Sequence, residues 1–450
     1  MNSSATQLLD PLLGSPAVGA IFSDHGRLQG MLDFEAALAR AEAQVGVIPA
    51  PAAGAISVKC RAEFFDPAAL AAATARAGTP VIPLVRHLTA LVAADNPDAA
   101  RFVHWGATSQ DAMDTGLVLQ LRDALVPIGN DLARLADALA TLAATHTVTL
   151  LPGRTWLQHA LPVTFGLKAA GWLDAIERHR MRVAALQPRL LALQFGGAAG
   201  TLAALGDRGL AVAAALAEDL RLALPEMPWH TERDRLAELA TTCGMIVGTL
   251  GKMARDLSLL MQTDVGEAFE PARQGRGGSS TMPHKRNPVT CAVVLAAATR
   301  APGLAATLLA SMVQEHERGL GGWHAEWVAL PELVVLTAGA LSQMADTMTH
   351  LEVDADRMKA NLEVTQGLIM AEAMTMALGS KLGRLAAHER VEAACHRAMS
   401  ERRHLRHVLA EDPVITSELG DLDFDHLFDL HTYVGAAAAL VERVLAARRP

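Results

Sequence analysis

Aromatic residues are scarce in this 450-residue chain: they make up 4%, with a single tyrosine, Tyr433. Sheets draw on aromatic and β-branched side chains, so this scarcity, with Ala and Leu dominant, favours helix over sheet. Cysteine is also rare. Cys60, Cys243, Cys291 and Cys395 lie far apart without metal-ligand spacing, as expected for reduced, partly buried thiols of a cytoplasmic protein. Positive charge is in deficit: 39 Lys and Arg stand against 48 Asp and Glu, a formal charge of −9. No long basic run occurs, so a nucleic-acid partner is not expected. An acidic protein that binds an anion must concentrate its few cations locally. The N-terminal MNSSATQLLDPLLGSP lacks a basic segment followed by a long apolar one, so it is a poor signal peptide. The apolar run after Pro288 is interrupted by Arg300 and Pro302, too early for a membrane span.

What is present is long helical periodicity. Leu117, Leu121, Leu125, Ile128, Leu132, Leu135, Leu139 and Leu142 recur at spacings of three and four, as do Leu239, Cys243, Ile246, Leu250, Met253, Leu257 and Leu260. Both stretches predict long helices with an apolar seam; 289–312 and 331–350 are similar but less strict. No convincing alternating strand pattern appears. The expected fold is all-α, with long antiparallel helices in one bundle. Pro and Gly punctuation divides the sequence into shorter helices over 1–115, a long-helix bundle over 116–365 and a helical segment over 366–450. The charged run from Arg397 to Arg406 reads as a solvated helix face.

The chemistry concentrates in GRGGSSTMPHKRNP, Gly275 to Pro288. Its glycines expose backbone N–H groups, Ser279, Ser280 and Thr281 bring hydroxyls, and His284, Lys285 and Arg286 bring positive charge. Asn287 followed by Pro288 reads as an N-cap and first helical residue. A helix N-terminus beside Lys285 suits an anion, most naturally a carboxylate. On composition alone the string reads equally as a flexible surface loop. Its order adds more: from Gly278 to Asn287 it matches every fixed position of Gly-Ser-Ser-x-Met-Pro-x-Lys-x-Asn, and so resembles the signature loop of the fumarase/aspartase superfamily.

That resemblance implies an all-α fold with a central bundle, and a homotetramer whose active sites are each assembled from three chains. It also implies proton transfer at a carbon next to a carboxylate through an enediolate-like intermediate. Ser279 would transfer the proton; Lys285 and Asn287 would hold the substrate carboxylate, with Ser280 and Met282 in the same loop. The physical logic is sound, because such a weak carbon acid ionises only if preorganised donors and cations stabilise the doubly negative enediolate. No cofactor or metal is expected.

Two further blocks resemble the superfamily. In HWGATSQDAMDTG, Thr108, Ser109 and Asp111 match a substrate-contacting Thr-Ser-x-Asp segment; Thr108 or Ser109 could also simply cap the helix beginning there. His104 could contact a ligand or be a satisfied structural histidine. In GRTWLQHALPVTFG, Arg154, Thr155, Gln158, Pro162 and Thr164 match, but the family's histidine is replaced by Trp156. His159 could face the same site from a helix, or merely pack. Arg318, in HERGLGGWHAEW, is a candidate second carboxylate clamp, or else an ordinary ion-pair partner of Glu317 or Glu326.

Within the superfamily the pattern is similar to two branches, the adenylosuccinate lyases and the bacterial 3-carboxy-cis,cis-muconate cycloisomerases. The lyases use two histidines, and this chain has Trp156 at one position and Thr79 and Pro80 near the other. The lyase loop also carries a glutamate seven residues after its lysine, where this chain has Ala292. A cycloisomerase tolerates these losses. Its reaction, read backwards, expels a carboxylate, which is stable as an anion with a pKa of about 4 and needs no general acid. A buried indole at 156 would instead pack on the flat conjugated substrate. The resemblance therefore implies lactonisation of a small polycarboxylate in protocatechuate breakdown. The alternatives are another dicarboxylate lyase, with His104, His159 or His284 as general acid, and a non-catalytic helical scaffold.

Overall fold

A computed structural model describes residues 8–272, 277–278, 282, 284–419 and 424–448. The described residues are mostly helical, in agreement with the composition. The principal helices are α1 (Asp24–Val45), α2 (Ser109–Thr145), α3 (Phe165–Leu190), α4 (Asp234–Leu260), α5 (Val289–Ala310) and α6 (Gly322–Thr349). The two strict periodic stretches lie within α2 and α4, where Leu121, Ile128, Leu132, Leu135, Leu139, Ile246, Leu250 and Leu257 are buried. A 3.6-residue repeat puts these side chains on one face, and their burial is what sustains helices this long.

One departure from the sequence reading is a short antiparallel hairpin, β1 (Leu150–Thr155) and β2 (Gln158–Thr164). The alternation that normally reveals a strand is absent, because β1 is buried at three successive residues before emerging, and a bulge interrupts the pairing between Pro152 and Arg154.

The chain forms two compact units, each assembled from three stretches of sequence. The first comprises Met1–Ala133, His179–Gly251 and Val293–Met344; the second comprises Arg134–Arg178, Lys252–Ala292 and Ala345–Pro450.

In the first unit, α1 starts on Ser23, whose side chain accepts from the Gly26 N–H, and stops at Gly46, in the left-handed region at φ 78°. Helices α1 and α2 touch backbone to backbone, since a Cβ on Gly30 would lie 2.8 Å from the Gly116 carbonyl oxygen. The unit is locked by a buried charge network. Arg233 donates to both oxygens of Asp114 on α2, at 2.6 and 3.1 Å, and through Nε to Glu326 on α6 at 3.1 Å. Trp323 Nε1 donates to Asp114 at 3.1 Å, and the guanidinium stacks 5.0 Å from the Trp229 ring.

In the second unit, α7 (Ala371–Leu382) and α8 (Arg384–Glu401) pack through Met374, Leu378, Ala387 and Val391. The charged stretch beyond Arg397 is solvated, as expected: Arg397 and Arg403 pair with exposed Glu401 and Glu411.

Among the described residues two helices, α5 and α6, are long and apolar enough by length and composition to cross a membrane, although Arg300 and Pro302 were expected to rule α5 out. A single charge barely lowers the mean hydropathy of so apolar a helix. For α6 the apolarity belongs to a protein core, since 72% of its most apolar window is buried; for α5 only 33% is.

Replacing Arg233 with methionine would strand two buried carboxylates. Arg233→Met should destabilise the protein by about 3–5 kcal/mol, measured by urea unfolding. A change below about 1 kcal/mol would show that the network does not lock the unit.

Candidate active site

Helix α2 begins at Ser109, as its sequence suggests, with Thr108 ahead of it accepting from the N–H groups of Asp111 and Ala112. The Asp111 carboxylate returns the contact, accepting from the Thr108 N–H at 3.0 Å, a reciprocal cap. Asp111 is fully buried and accepts much more. Its oxygens also receive the N–H groups of Gly196 and Gly197 at 3.0 and 2.9 Å, the Gln194 amide at 3.2 Å and His230 Nε2 at 2.7 Å. This fixes the Gly196–Gly200 loop against the start of α2. The loop needs its glycines: Gly197 and Gly200 sit at φ 68° and 82°, and a Cβ on Gly196 would meet Pro228 and His230 at 2.8 and 2.9 Å.

Arg318 completes this arrangement. Its Nη1 donates to Thr108 Oγ1 at 2.8 Å and its Nη2 to the Ala198 carbonyl at 3.0 Å. Neither Glu317 nor Glu326 is its partner; Glu326 belongs to Arg233. Among the described residues Arg318 has no carboxylate partner, and its buried Nε has no acceptor. A guanidinium held only by neutral oxygens keeps its charge available for a carboxylate.

His104 sits in the left-handed region at φ 57°, with Nδ1 2.6 Å from Oε1 of the buried Glu35. Burial lowers the imidazole pKa, but the Glu35 carboxylate outweighs it and the net direction is up. One helical stretch along α1 lies Glu42, fully buried with neither oxygen bonded. Burial, reinforced by the Glu35 charge, pushes its carboxyl up to about 9. Glu35 is thus the partnered acid of the two, and Glu42 stays protonated at neutral pH.

The remaining candidates lie in the second unit. Arg154 forms a two-pronged pair with the buried Glu267, at 2.8 and 2.6 Å, and Glu267 also takes the Asn361 amide at 2.7 Å. Thr155 and Gln158 face each other across the hairpin. Trp156 and Leu157 make its two-residue turn, both with positive φ, 53° and 65°. The expected burial of the indole does not hold for the chain: Trp156 is 94% exposed, because a turn tip lies beyond the strands that pack. His159 is on β2 opposite Arg154, not on a helix. Burial and the neighbouring Arg154 lower its pKa.

Of the signature loop, Ser279, Ser280, Thr281 and Pro283 fall outside the described residues. Its ends meet where the Asn287 N–H donates to the Gly277 carbonyl at 2.8 Å, with Gly277 at φ 70°. Met282, His284 and Lys285 are exposed. Arg286 is engaged internally, with Glu352 at 2.9 Å and the Glu270 carbonyl at 2.6 Å. The start of α5 is already filled. Glu270 accepts from the N–H groups of Thr290 and Cys291 at 2.9 and 2.8 Å, so the anion on that helix end is the protein's own. Sequence reasoning missed Glu35, Glu267, Glu270 and the Gly196–Gly200 loop; only the loop left a signal, its paired glycines.

Over residues 14–303 the chain matches the family described as Lyase, and over 367–444 the adenylosuccinate lyase C-terminus. A Pseudomonas aeruginosa protein named 3-carboxy-cis,cis-muconate cycloisomerase is 61% identical, over 98% of this chain and 96% of its own. The crystal structure of 3-carboxy-cis,cis-muconate lactonizing enzyme from Pseudomonas putida matches with a TM-score of 0.93 at 56% identity, covering 98% of both chains. That of beta-carboxy-cis,cis-muconate cycloisomerase from Acinetobacter calcoaceticus matches with a TM-score of 0.93 at 45% identity, covering 98% of this chain and all of the other.

The acid pair has a consequence for pH. Folded Glu42 holds its proton up to about pH 9, whereas the unfolded side chain releases it near its ordinary carboxylate pKa. The folded state therefore binds the extra proton between those limits, and stability falls as pH rises through that window. Glu42→Gln cannot ionise, so its stability relative to wild type should rise from pH 5 to pH 9 by at least about 1 kcal/mol. Parallel pH profiles in chemical denaturation would show that Glu42 ionises freely in the fold.

Proposed function

We infer that this chain, which belongs to the lyase family of the fumarase/aspartase superfamily, catalyses the ring closure of 3-carboxy-cis,cis-muconate to 4-carboxymuconolactone in the breakdown of protocatechuate. The observation that carries this reading is the 61% identity, over nearly the whole of both chains, to a protein named for that reaction. The replacement of a histidine and a carboxylate by Trp156 and Ala292 supports it chemically.

The reaction is an isomerisation. A carboxylate oxygen of the substrate adds to one carbon of a double bond. The π pair moves onto the carbon next to another carboxylate, whose oxygens take up the charge as an enediolate. A proton then reaches that carbon. Ser279 delivers the proton, and Lys285 and Asn287 hold the carboxylate that gains charge. Arg318, fixed by Thr108, clamps a second carboxylate, with Ser109 beside it. Arg154, bound to Glu267, positions the hairpin that carries Thr155, Trp156 and Gln158. Preorganised cations matter here because the substrate is a polyanion and the chain carries −9.

The reading includes a cytoplasmic homotetramer with sites shared between chains and the three-segment division of the sequence. An exposed stripe on α5 supports assembly: Ala296, Thr299, Gly303, Ala306 and Ala310 recur at spacings of three and four and all face outward. A face of small residues permits close helix packing against another copy.

Ser279→Ala should lower kcat by two or more orders of magnitude, on the order of 3 kcal/mol in the barrier, with unchanged circular dichroism. The assay follows the loss of 3-carboxymuconate ultraviolet absorbance, with NMR identification of the lactone. Near-normal turnover by the folded variant would reject Ser279 as the proton donor; a wild type that leaves the substrate untouched would reject the reaction.

Light scattering should give a particle of about four times the 47.5 kDa chain. Mixing inactive Ser279→Ala with an inactive Ser109→Ala or Thr108→Ala variant should restore part of the activity on subunit exchange. No recovery, with exchange verified by native mass spectrometry, would count against sites built between chains.

A further inference from the structure

The reading above gives a cation to two of the three carboxylates of 3-carboxymuconate, Lys285 to one and Arg318 to another. The third lacks a donor, and the segment that leads into Thr108 carries one. That segment is open to the outside: His104, Gly106, Ala107, Thr108 and Ser109 are half-buried and Trp105 is exposed. It lies against the glycine loop that Asp111 fixes, since a Cβ on Gly197 would meet the Gly106 carbonyl oxygen at 2.9 Å. Both belong to the first unit, as does Arg318.

The His104 ring is held at one edge. Its Nδ1 lies 2.6 Å from Oε1 of Glu35, whose side chain is 1% exposed against 16% for the imidazole. Among the described residues Nε2 has no hydrogen-bond partner, so it is the free nitrogen of a ring that the buried acid fixes. The backbone at φ 57° is a left-handed conformation that a residue other than glycine adopts at a cost, and such positions gather where a side chain must be aimed.

What Nε2 presents depends on charge. A neutral ring that donates through Nδ1 to Glu35 leaves a lone pair at Nε2, which repels a carboxylate; an imidazolium presents an N–H there. Burial opposes the charged form, yet two carboxylates favour it, Glu35 on α1 and Asp111 at the start of α2, and the net direction of the His104 pKa is up. Glu42, further along α1, keeps its proton up to about pH 9, and the Gly196–Gly200 loop has no ionisable side chain.

We propose that Glu35 is a positioning residue for this reaction: it holds His104 with Nε2–H facing the candidate site, where that donor takes the third carboxylate of the substrate. The assignment rests on the reading of the site given above. It adds a determinant of selectivity for tricarboxylates over dicarboxylates.

The test is steady-state turnover of 3-carboxymuconate between about pH 6 and about pH 9, with NMR titration of the His104 ring. Glu35→Gln keeps the shape and removes the negative charge; His104→Gln removes the imidazole. Near neutral pH each should raise KM about tenfold and change kcat less than about threefold. Wild-type KM should rise as pH passes the His104 pKa, because Nε2 then loses its proton. That rise should begin at lower pH in Glu35→Gln and be absent in His104→Gln. A pair that only supports the fold would not move this profile. Tricarballylate, a tricarboxylate that cannot react, should raise the His104 pKa in the wild type, and glutarate should raise it less. Three results would each overturn the proposal: KM within about twofold of wild type in both folded variants, a pH-dependent rise in KM that persists in His104→Gln, or a His104 pKa unmoved by tricarballylate. A wild type that leaves 3-carboxymuconate untouched, yet whose His104 pKa rises with tricarballylate, would reject the reaction and keep the contact. If Glu35→Gln does not fold, His104→Gln and the ring titration decide.

Discussion

Asp111 carries a carboxylate wholly removed from water, and it holds its place only because five donors converge on it. Three of them are backbone N–H groups, from Thr108, Gly196 and Gly197. The carboxylate therefore joins the start of α2 to a glycine-rich loop that no regular element supports. The side chain of Thr108 and the carbonyl of Ala198 then become the two fixed acceptors that aim Arg318. Removing the carboxylate would free the loop and the cap together, and Arg318 would lose both supports. The hydrogen bonds of this buried anion define a position, and the carboxylate clamp proposed for Arg318 would need such a placement.

The same logic separates the arginines. Arg233, Arg154 and Arg286 each have a carboxylate partner within the chain, Asp114 and Glu326, Glu267, and Glu352 respectively. Their charges are neutralised locally, and their work is to hold elements together. Arg318 is different, with neutral acceptors and no carboxylate among the described residues. In a chain with a surplus of acids, an arginine left without one is more informative than an arginine that is paired. Sequence gives no way to tell these two kinds apart, since Glu317 and Glu326 lie near Arg318 in sequence but do not pair with it.

This marks where legibility ends. The long helices were readable because burial imposes a 3.6-residue repeat, and the start of α2 was readable because capping uses few residue types. The hairpin was hidden because its burial does not alternate. The start of α5 reads in the sequence as a site for a ligand carboxylate, yet its occupant is Glu270, some twenty residues earlier, and nothing local points to it. The same holds for Glu35 beneath His104 and Glu267 beneath Arg154. Each is a long-range pairing, set by tertiary packing and invisible to spacing. Trp156 was visible as a departure from the family pattern, but its exposure depends on a turn whose two residues both take positive φ, which neither Trp nor Leu advertises.

Exposure gives that departure its meaning. Trp156 and Ala292 both stand open in the single chain, so neither residue is dictated by packing within it. What occupies those positions is free to answer to the reaction. A histidine at 156 paired with a glutamate at 292 serves a leaving group too basic to depart as an anion, by orienting an imidazole acid. A carboxylate leaving group has no such need. A glutamate at 292 without that histidine would also stand in the first turn of α5, whose end N–H groups already hold Glu270. In the proposed site it would bring a second negative charge toward a polyanionic substrate. Under lactonisation the two losses therefore belong together: each removes a group that the chemistry does not use, and the second also removes a repulsion.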